Sequence, residues 1–270
     1  MQTSKNRLIL RTAAIVALLT GNAMLLHGAT VNFDTYVSQE NNDLINQFAA
    51  WGTTQIVDNG ITGGSVVSQG GQGVSATYRT SQSQTSPMSI FFRYDGPQTV
   101  GLGASARLGW VGDLAAVDFF QPSLYFWGEF YNDGSFNVRN NASGQPGGGA
   151  TSTLGSITAP TLGHWLKLGL SATRLTGANY ELAMSLDDFG ASGSEAPVNL
   201  FSGSTQVVNG LAAADDSMYP GFAGWYRAPY YDNFSVQAIP EPGSAVLLGF
   251  GLALVGSRLL RHRGSPDRAL

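Results

Sequence analysis

The chain has 270 residues, of which 43% are hydrophobic, only 12% are charged and 35 are glycine. Low charge and frequent glycine favour β-structure with many turns over long helices. Because the chain contains no cysteine, disulfide frameworks, thiolate metal sites and cysteine nucleophiles are excluded.

Basic residues are concentrated at the two ends of the chain. Seven of the 14 Lys and Arg residues lie within residues 5–11 and 258–268. The stretch 30–239 carries seven basic and 16 acidic residues, a formal net charge of −9. Because a nucleic-acid-binding surface needs a basic patch, we expect no nucleic-acid partner.

Residues 1–29 have the three parts of a secretory signal peptide. Basic residues precede a short apolar stretch at 13–19, and small residues follow, with candidate cleavage sites after Ala23 and Ala29. The apolar stretch is too short for a membrane anchor. We therefore expect an N-terminal signal helix that is recognised by the Sec translocon and removed by signal peptidase.

Residues 239–265 combine the motif Pro240-Glu241-Pro242, an apolar stretch and an arginine-rich end. The apolar stretch would span about 21 Å as a helix, against a hydrocarbon core of about 30 Å, so the predicted transmembrane helix is short. The basic cluster after it should stay on the cytoplasmic side, which leaves the acidic middle of the chain outside. Residues 266–270 form a short tail.

This order of parts closely resembles the PEP-CTERM sorting signal of bacteria that make exopolysaccharide or biofilm. The resemblance implies that an exosortase-type transpeptidase recognises Pro240, Glu241 and Pro242 and removes the helix that follows. The protein would then be anchored transiently in the inner membrane before it reaches the cell surface or extracellular matrix.

Residues 30–238 show the period-two alternation of β-strands, with turn signals such as Asp95-Gly96-Pro97 between them. We predict strands around 166–170 and 180–186, and also at 31–36, 74–79, 88–94, 98–108, 124–131, 135–139 and 222–237. Residues 43–51 fit either a short helix or irregular structure, and residues 141–150 are predicted to form a surface loop. The pattern predicts one all-β domain, an antiparallel two-sheet β-sandwich.

Three sequence motifs resemble those of the concanavalin/laminin-G type of jelly roll. They are Phe33-Asp34 near the start, Trp165-Leu166-Lys167-Leu168 in the later middle and Tyr231-Asp232-Asn233-Phe234 at the end. The resemblance implies that the first and last strands of the sandwich pair with each other.

The segment 124–139 is a predicted hairpin whose register depends on the length of its loop. A three-residue loop, Asn132-Asp133-Gly134, sets Phe130 against Phe136, whereas a two-residue loop would mix the two faces. We therefore predict the three-residue loop, with Gly134 in the left-handed conformation. One face of the hairpin then carries an aromatic and polar set: Tyr125, Trp127, Glu129, Tyr131, Asn137 and Arg139.

This aromatic-polar face is the candidate glycan-binding site, because aromatic rings stack on sugar C–H groups and polar side chains bond to hydroxyls. The alternative is that the face packs on the second sheet or under a loop. A second candidate site is a calcium ion held by Asp34 and Asp232, should the first and last strands be adjacent. Solvated or turn-capping carboxylates are the alternative there.

Catalytic signatures are weak in this sequence. The paired carboxylates of a jelly-roll glycoside hydrolase, Glu-x-Asp-x-x-Glu or Glu-x-Asp-x-Glu, do not occur. Glu129 has the most suggestive surroundings, and His164 precedes a strand as a turn residue. We predict an exported non-enzymatic surface or matrix protein with extracellular polysaccharide as candidate partner. The alternatives are a secreted polysaccharide-active enzyme and a structural or adhesive protein without a specific ligand.

Overall fold

The computed structural model describes strands and turns between Ala29 and Gln237. The described residues are 29–31, 33, 48–51, 54–58, 60–68, 73–79, 82–83, 85–96, 104–111, 124–140, 150–176, 179–208, 217–225 and 230–237. The predicted signal helix, the Pro-Glu-Pro motif with its apolar helix, and Asp34 all lie outside them. Within these described ranges, no helix is both long and apolar enough to cross a bilayer.

The described residues form an all-β antiparallel sandwich of two eight-stranded sheets, as predicted. In sheet 1 the order is β14-β13-β12-β7-β16-β4-β3, with β1 also paired to β16. Its strands are β1 (Ala29–Val31), β3 (Thr54–Asp58), β4 (Gly64–Ser68), β7 (Met88–Arg93), β12 (Trp165–Arg174), β13 (Asn179–Asp188), β14 (Val198–Val208) and β16 (Tyr231–Val236).

In sheet 2 the order is β11-β10-β9-β8-β15-β5-β2, with β6 also paired to β15. Its strands are β2 (Phe48–Trp51), β5 (Gly73–Tyr78), β6 (Gln82–Ser83), β8 (Ala104–Val111), β9 (Leu124–Tyr131), β10 (Ser135–Asn140), β11 (Ala150–Ser156) and β15 (Ser217–Trp225).

The core lies between the two sheets and is rich in aromatic rings. Phe92 of sheet 1 meets Phe130 of sheet 2 at a centroid distance of 5.9 Å, and Phe222 meets Phe234 at 5.4 Å. Near the β14 and β11 edges, Phe136 and Phe201 stack in parallel 3.8 Å apart. Burial of these rings, each of which removes more than about 150 Å² of surface from water, holds the sheets together.

The first and last strands pair, as the jelly-roll resemblance implies. Strand β1 runs antiparallel to β16, with Ala29 opposite Val236 and Val31 opposite Phe234. The Thr30 and Ser235 hydroxyls, side by side on the outer face, are 3.2 Å apart. The pairing places β16 between β7 on one side and β1 and β4 on the other.

Two sequence predictions are corrected by the structure. The single strand predicted at 222–237 is wrong, because β15 and β16 are separate strands that lie in different sheets. For the segment 43–51, the sequence indicates either a short helix or irregular structure. In the structure, residues 48–51 form β2 and pair with β5. The sequence patterns also missed β3, β4, β6, β11 and β14.

The predicted β9–β10 hairpin register is confirmed. Phe136 lies opposite Phe130, and the loop between the strands is Asn132-Asp133-Gly134. Gly134 has φ +87°, which is the left-handed conformation that glycine adopts without strain. A Cβ at this position would also collide with the Ile157 carbonyl oxygen, so both the turn and its neighbour require glycine.

Candidate functional site

The candidate site lies on the face of sheet 2 that points away from the sandwich core. Because side chains alternate along a strand, the inward Phe130 sends its neighbours Glu129 and Tyr131 to the outer face. The register then gathers residues from three strands around Glu129. Arg107 of β8 lies opposite it on one side, and Asn137 of β10 lies opposite it on the other.

The Glu129 carboxylate is the centre of a polar network, where it accepts three hydrogen bonds and forms a close ion pair with Arg107. Its Oε1 receives the Trp127 Nε1–H at 2.9 Å and lies 2.7 Å from Arg107 Nε. Its Oε2 receives the Tyr131 hydroxyl at 2.7 Å and Arg139 Nε at 2.8 Å. Arg139 also donates from Nη2 to the Tyr131 oxygen at 2.7 Å. We call these five residues the Glu129 network.

The buried centre of the Glu129 network contrasts with its one partly exposed edge. Glu129 is 0% exposed, and the Trp127 and Tyr131 residues are only 6% and 8% exposed. The side chain of Arg107 is 12% exposed and that of Arg139 is 29% exposed. A buried carboxylate is stable only when it is paired and fully hydrogen-bonded, and the two guanidinium groups meet that need.

Burial and charge together set the protonation of the network. Burial raises the pKa of the Tyr131 phenol above its usual 10.0, and the Glu129 charge and hydrogen bond raise it further, against opposing effects from Arg139 and Arg107. For Arg139, burial lowers the pKa, but Glu129 and Tyr131 outweigh that effect and raise the pKa above its usual value. Tyr131 therefore stays a protonated donor, and Arg139 stays charged.

Four of the six residues predicted for the glycan site belong to this network: Trp127, Glu129, Tyr131 and Arg139. Asn137 lies beside it on the same face, where its Oδ1 accepts from the Thr153 hydroxyl of β11 at 2.8 Å. The side chain of the sixth residue, Tyr125, lies outside the described part of the chain. Sequence reasoning missed Arg107, which only the β8–β9 register brings to Glu129.

The burial of Trp127 and Tyr131 argues against the predicted role of their rings in stacking on sugars. Their rings do not stand open as sugar platforms, and their polar atoms are used by Glu129 and Arg139. The face does not pack on the other sheet either, because it is turned away from the core. The accessible polar groups are those of Arg139, Asn137 and the β11 residues Thr151 and Thr153.

At the second candidate site, Asp232 is fully buried and serves as a backbone anchor. Its Oδ2 accepts the Ile61 amide at 2.8 Å, and its Oδ1 accepts the Asn233 amide at 2.7 Å. Asn233 has φ +48°, at an irregularity in the β16–β7 pairing. No group of three acidic or histidine side chains that could hold a metal occurs among the described residues. These residues alone do not supply a calcium donor set, so the prediction depends on Asp34.

His164 lies in the turn before β12, as predicted, and is paired with a carboxylate. Its Nδ1 is 3.0 Å from both oxygens of Asp188, whose Oδ1 also accepts the Gly190 amide at 2.8 Å. The pair joins two neighbouring turns at one end of sheet 1. It lies on the other sheet from the Glu129 network and adds no group to it.

The sequence matches no protein-family model and no curated protein. Two solved structures are similar to the chain in fold. One is the marine PL-14 alginate lyase from Aplysia kurodai, at a TM-score of 0.50 and 10% identity over 79% of this chain and 99% of that one. The other is the calcium-bound exoplasmic/lumenal domain of VIP36, at a TM-score of 0.50 and 12% identity over 80% of this chain and 93% of that one.

The fold and the comparisons together define a class: the described residues form a β-sandwich of the jelly-roll type. At 10% and 12% identity the likeness carries the fold and no residue role.

Proposed function

We propose that this chain is an exported, non-enzymatic surface or matrix protein that binds extracellular polysaccharide through the outer face of sheet 2. One observation carries the binding proposal. Arg139 is held in place by Glu129 and Tyr131, and its side chain is partly exposed beside Asn137 and Thr153. Polar groups fixed in this way can bond to sugar hydroxyls without first losing much conformational freedom.

The full pairing of Glu129 supports a binding function over an enzymatic one. A glycosidase needs one carboxyl group free to transfer a proton and another free to attack or to activate water. Glu129 already accepts three hydrogen bonds and is paired with two guanidinium groups, and the strands of sheet 2 contain no second acidic residue. The raised pKa of Tyr131 keeps its phenol protonated near neutral pH, so little of the phenolate needed for proton abstraction in a lyase reaction is present.

Polysaccharide binding is tested with the full-length protein and immobilised polysaccharides. Asn137→Ala should weaken retention several-fold, because it removes the amide beside Arg139. A matched control is Ser204→Ala, which also removes a partner of an exposed cross-strand hydrogen bond, here the 2.9 Å bond to Glu181 on sheet 1. Equal retention of both variants and the wild type would remove this face as the binding site. Cleavage of any polysaccharide by the wild type would favour the enzyme.

Export and sorting are proposed from the sequence signals at the two ends. We expect a signal peptidase to remove the first segment and an exosortase-type transpeptidase to act at Pro240-Glu241-Pro242. Replacing these three residues by alanine should leave the protein in the inner membrane with its tail uncut, which mass measurement of the membrane and surface fractions can detect. An alanine variant that reaches the surface with the wild-type mass would contradict the assignment.

Calcium at Asp34 and Asp232 is a weaker proposal. Both oxygens of Asp232 already accept backbone amides, so an ion there would have to share them. Thermal unfolding with calcium and with a chelator tests it, and equal midpoints would rule the ion out as a stabilising ligand.

A further inference from the structure

The two sheets of the sandwich differ in the sign of their charge. The strands of sheet 2 contain one acidic residue, Glu129, and two basic residues, Arg107 and Arg139. The strands of sheet 1 contain five acidic and three basic residues. Sheet 2 is therefore the one with a positive excess, although the stretch 30–239 as a whole is strongly acidic.

This positive excess is concentrated on the outer face of sheet 2. Both guanidinium groups lie against the same carboxylate, at 2.7 Å for Arg107 and 2.8 Å for Arg139. Two guanidinium groups therefore share the Glu129 carboxylate, in surroundings that screen their charges poorly.

The hydrogen-bond geometry shows which part of the network a ligand can reach. Glu129, the Trp127 N–H and the Tyr131 hydroxyl are all engaged within the network. The bonds of Arg139 use Nε and Nη2, and its Nη1 donates to none of the described residues. Because Arg139 is also the most exposed member, at 29% of its side chain, its outer edge is the accessible donor.

Neighbouring groups extend this edge along β10 and β11. Arg139 lies opposite Thr151, and Asn137 lies opposite Thr153. Since Asn137 accepts through Oδ1, its amide nitrogen is left to donate outward. The result is a short row in which one cationic donor stands beside an amide and two hydroxyls.

We infer that the polysaccharide bound by this face is acidic, with a sugar carboxylate or sulfate paired to the outer edge of Arg139. The inference rests on the proposed function and adds the chemical class of its ligand. A guanidinium group offers two parallel N–H donors that match a carboxylate or sulfate, which a neutral sugar lacks. The acidic remainder of the ectodomain repels polyanions, so their binding requires this local positive site.

The test compares the binding of acidic polysaccharides and their neutral counterparts to the full-length protein. The probes are polygalacturonate and its carboxyl-reduced form, and dextran sulfate and dextran. The wild type should bind at least one acidic member about tenfold or more tightly than its neutral partner. The two pairs show whether carboxylate or sulfate is the group recognised.

Variants test whether Arg139 is the residue responsible. Arg139→Gln should abolish most of the acidic preference, and Arg139→Lys should recover part of it because the charge returns without the planar fork. The matched control is Arg93→Gln on sheet 1, since Arg93 is also paired to a carboxylate and its side chain is 27% exposed. This control removes the same charge and should leave the preference unchanged.

The outcomes separate this inference from the proposed function. Equal binding of acidic and neutral probes, or equal losses in Arg139→Gln and Arg93→Gln, would overturn the acidic ligand and leave polysaccharide binding in place. Binding to none of the four probes by folded wild-type protein would overturn both. If Arg139→Gln unfolds, the comparison of probes on the wild type still decides the ligand class.

Discussion

The Glu129 network shows how much a single buried carboxylate can depend on its neighbours. Glu129 has no contact with solvent, and its stability in the folded state depends on three hydrogen bonds and an ion pair with Arg107, which together involve three strands. The same bonds hold Arg107 and Arg139 on a sheet face where two unpaired cations would repel each other. Removing the carboxylate should therefore affect folding before it affects any ligand.

We predict that Glu129→Gln lowers the free energy of unfolding by about 3–5 kcal/mol, because two partly buried guanidinium groups lose their counter-charge. Denaturant titration measures the change. Glu181→Gln is the control, since Glu181 sits in an exposed pair on sheet 1 and should change stability by less than about 0.5 kcal/mol. Similar small losses in both variants would show that the network contributes little.

Tyrosines in the network and core should make the protein sensitive to alkali. Burial is the main cause of the raised pKa of Tyr94, Tyr131 and Tyr231. In the unfolded chain these phenols lose their protons near pH 10. The folded state keeps them to higher pH, so it binds more protons there, and stability falls as pH rises above about 10.

This alkaline loss is measured by denaturant titration at several pH values together with phenolate absorbance. We expect Tyr94, Tyr131 and Tyr231 to ionise only as the protein unfolds. Ionisation of these three phenols near pH 10 in folded protein would contradict the prediction.

At the scale of strands, the β9–β10 hairpin determines which residues meet on the outer face. A slip by one residue would turn Trp127, Glu129 and Tyr131 into the core. The three-residue loop prevents this slip, and Gly134 permits the loop. The site residues from these two strands are therefore positioned by local sequence.

We predict that Gly134→Ala destabilises the protein by more than about 1 kcal/mol, because alanine is strained at φ +87° and its Cβ would meet the Ile157 carbonyl. Gly163→Ala is a matched control, since Gly163 has φ +77° but no atom within 4 Å of the added Cβ. The excess loss in Gly134→Ala over Gly163→Ala, measured by denaturant titration, isolates the collision. Equal losses would mean that the Ile157 contact adjusts freely.

How far the sequence predicts this structure depends on how far apart the interacting strands lie in the chain. The hairpin register is predictable because three residues join its strands. Arg107 was missed because 12 residues separate Val111 from Leu124, and a connection of that length does not determine register. The site residues from β9 and β10 could therefore be predicted from the sequence, whereas Arg107 from β8 could not.

Two of the strands that the sequence patterns did not predict lie at the edges of the sheets. Strands β11 and β14 lie at corresponding edges of the two sheets and are rich in serine, threonine and glycine. The one large apolar residue of β11 is Leu154, and the middle of β14 at residues 202–205 is Ser-Gly-Ser-Thr, so neither strand shows the alternation that revealed β12 and β13. The division of 222–237 between two sheets was also hidden, because β15 and β16 both carry buried apolar residues and sheet membership is a property of the whole fold.

At the scale of the whole molecule, the proposed function gives different roles to the acidic stretch 30–239 and to the positive outer face of sheet 2. A strong net negative charge keeps a protein soluble and limits non-specific adhesion to other anionic polymers. A local cationic site can then select its ligand by geometry as well as charge.

The position of β16 has a mechanical consequence for a protein held by its C-terminal segment. A pull applied beyond Val236 is transmitted first to β16, which is hydrogen-bonded to β7 on one side and to β1 and β4 on the other. A force on an edge strand such as β14 can break its backbone hydrogen bonds one at a time. A strand that is paired on both sides separates only when the hydrogen bonds to both neighbours break together. Under the proposed C-terminal anchoring, the load would therefore fall first on a strand that is paired on both sides.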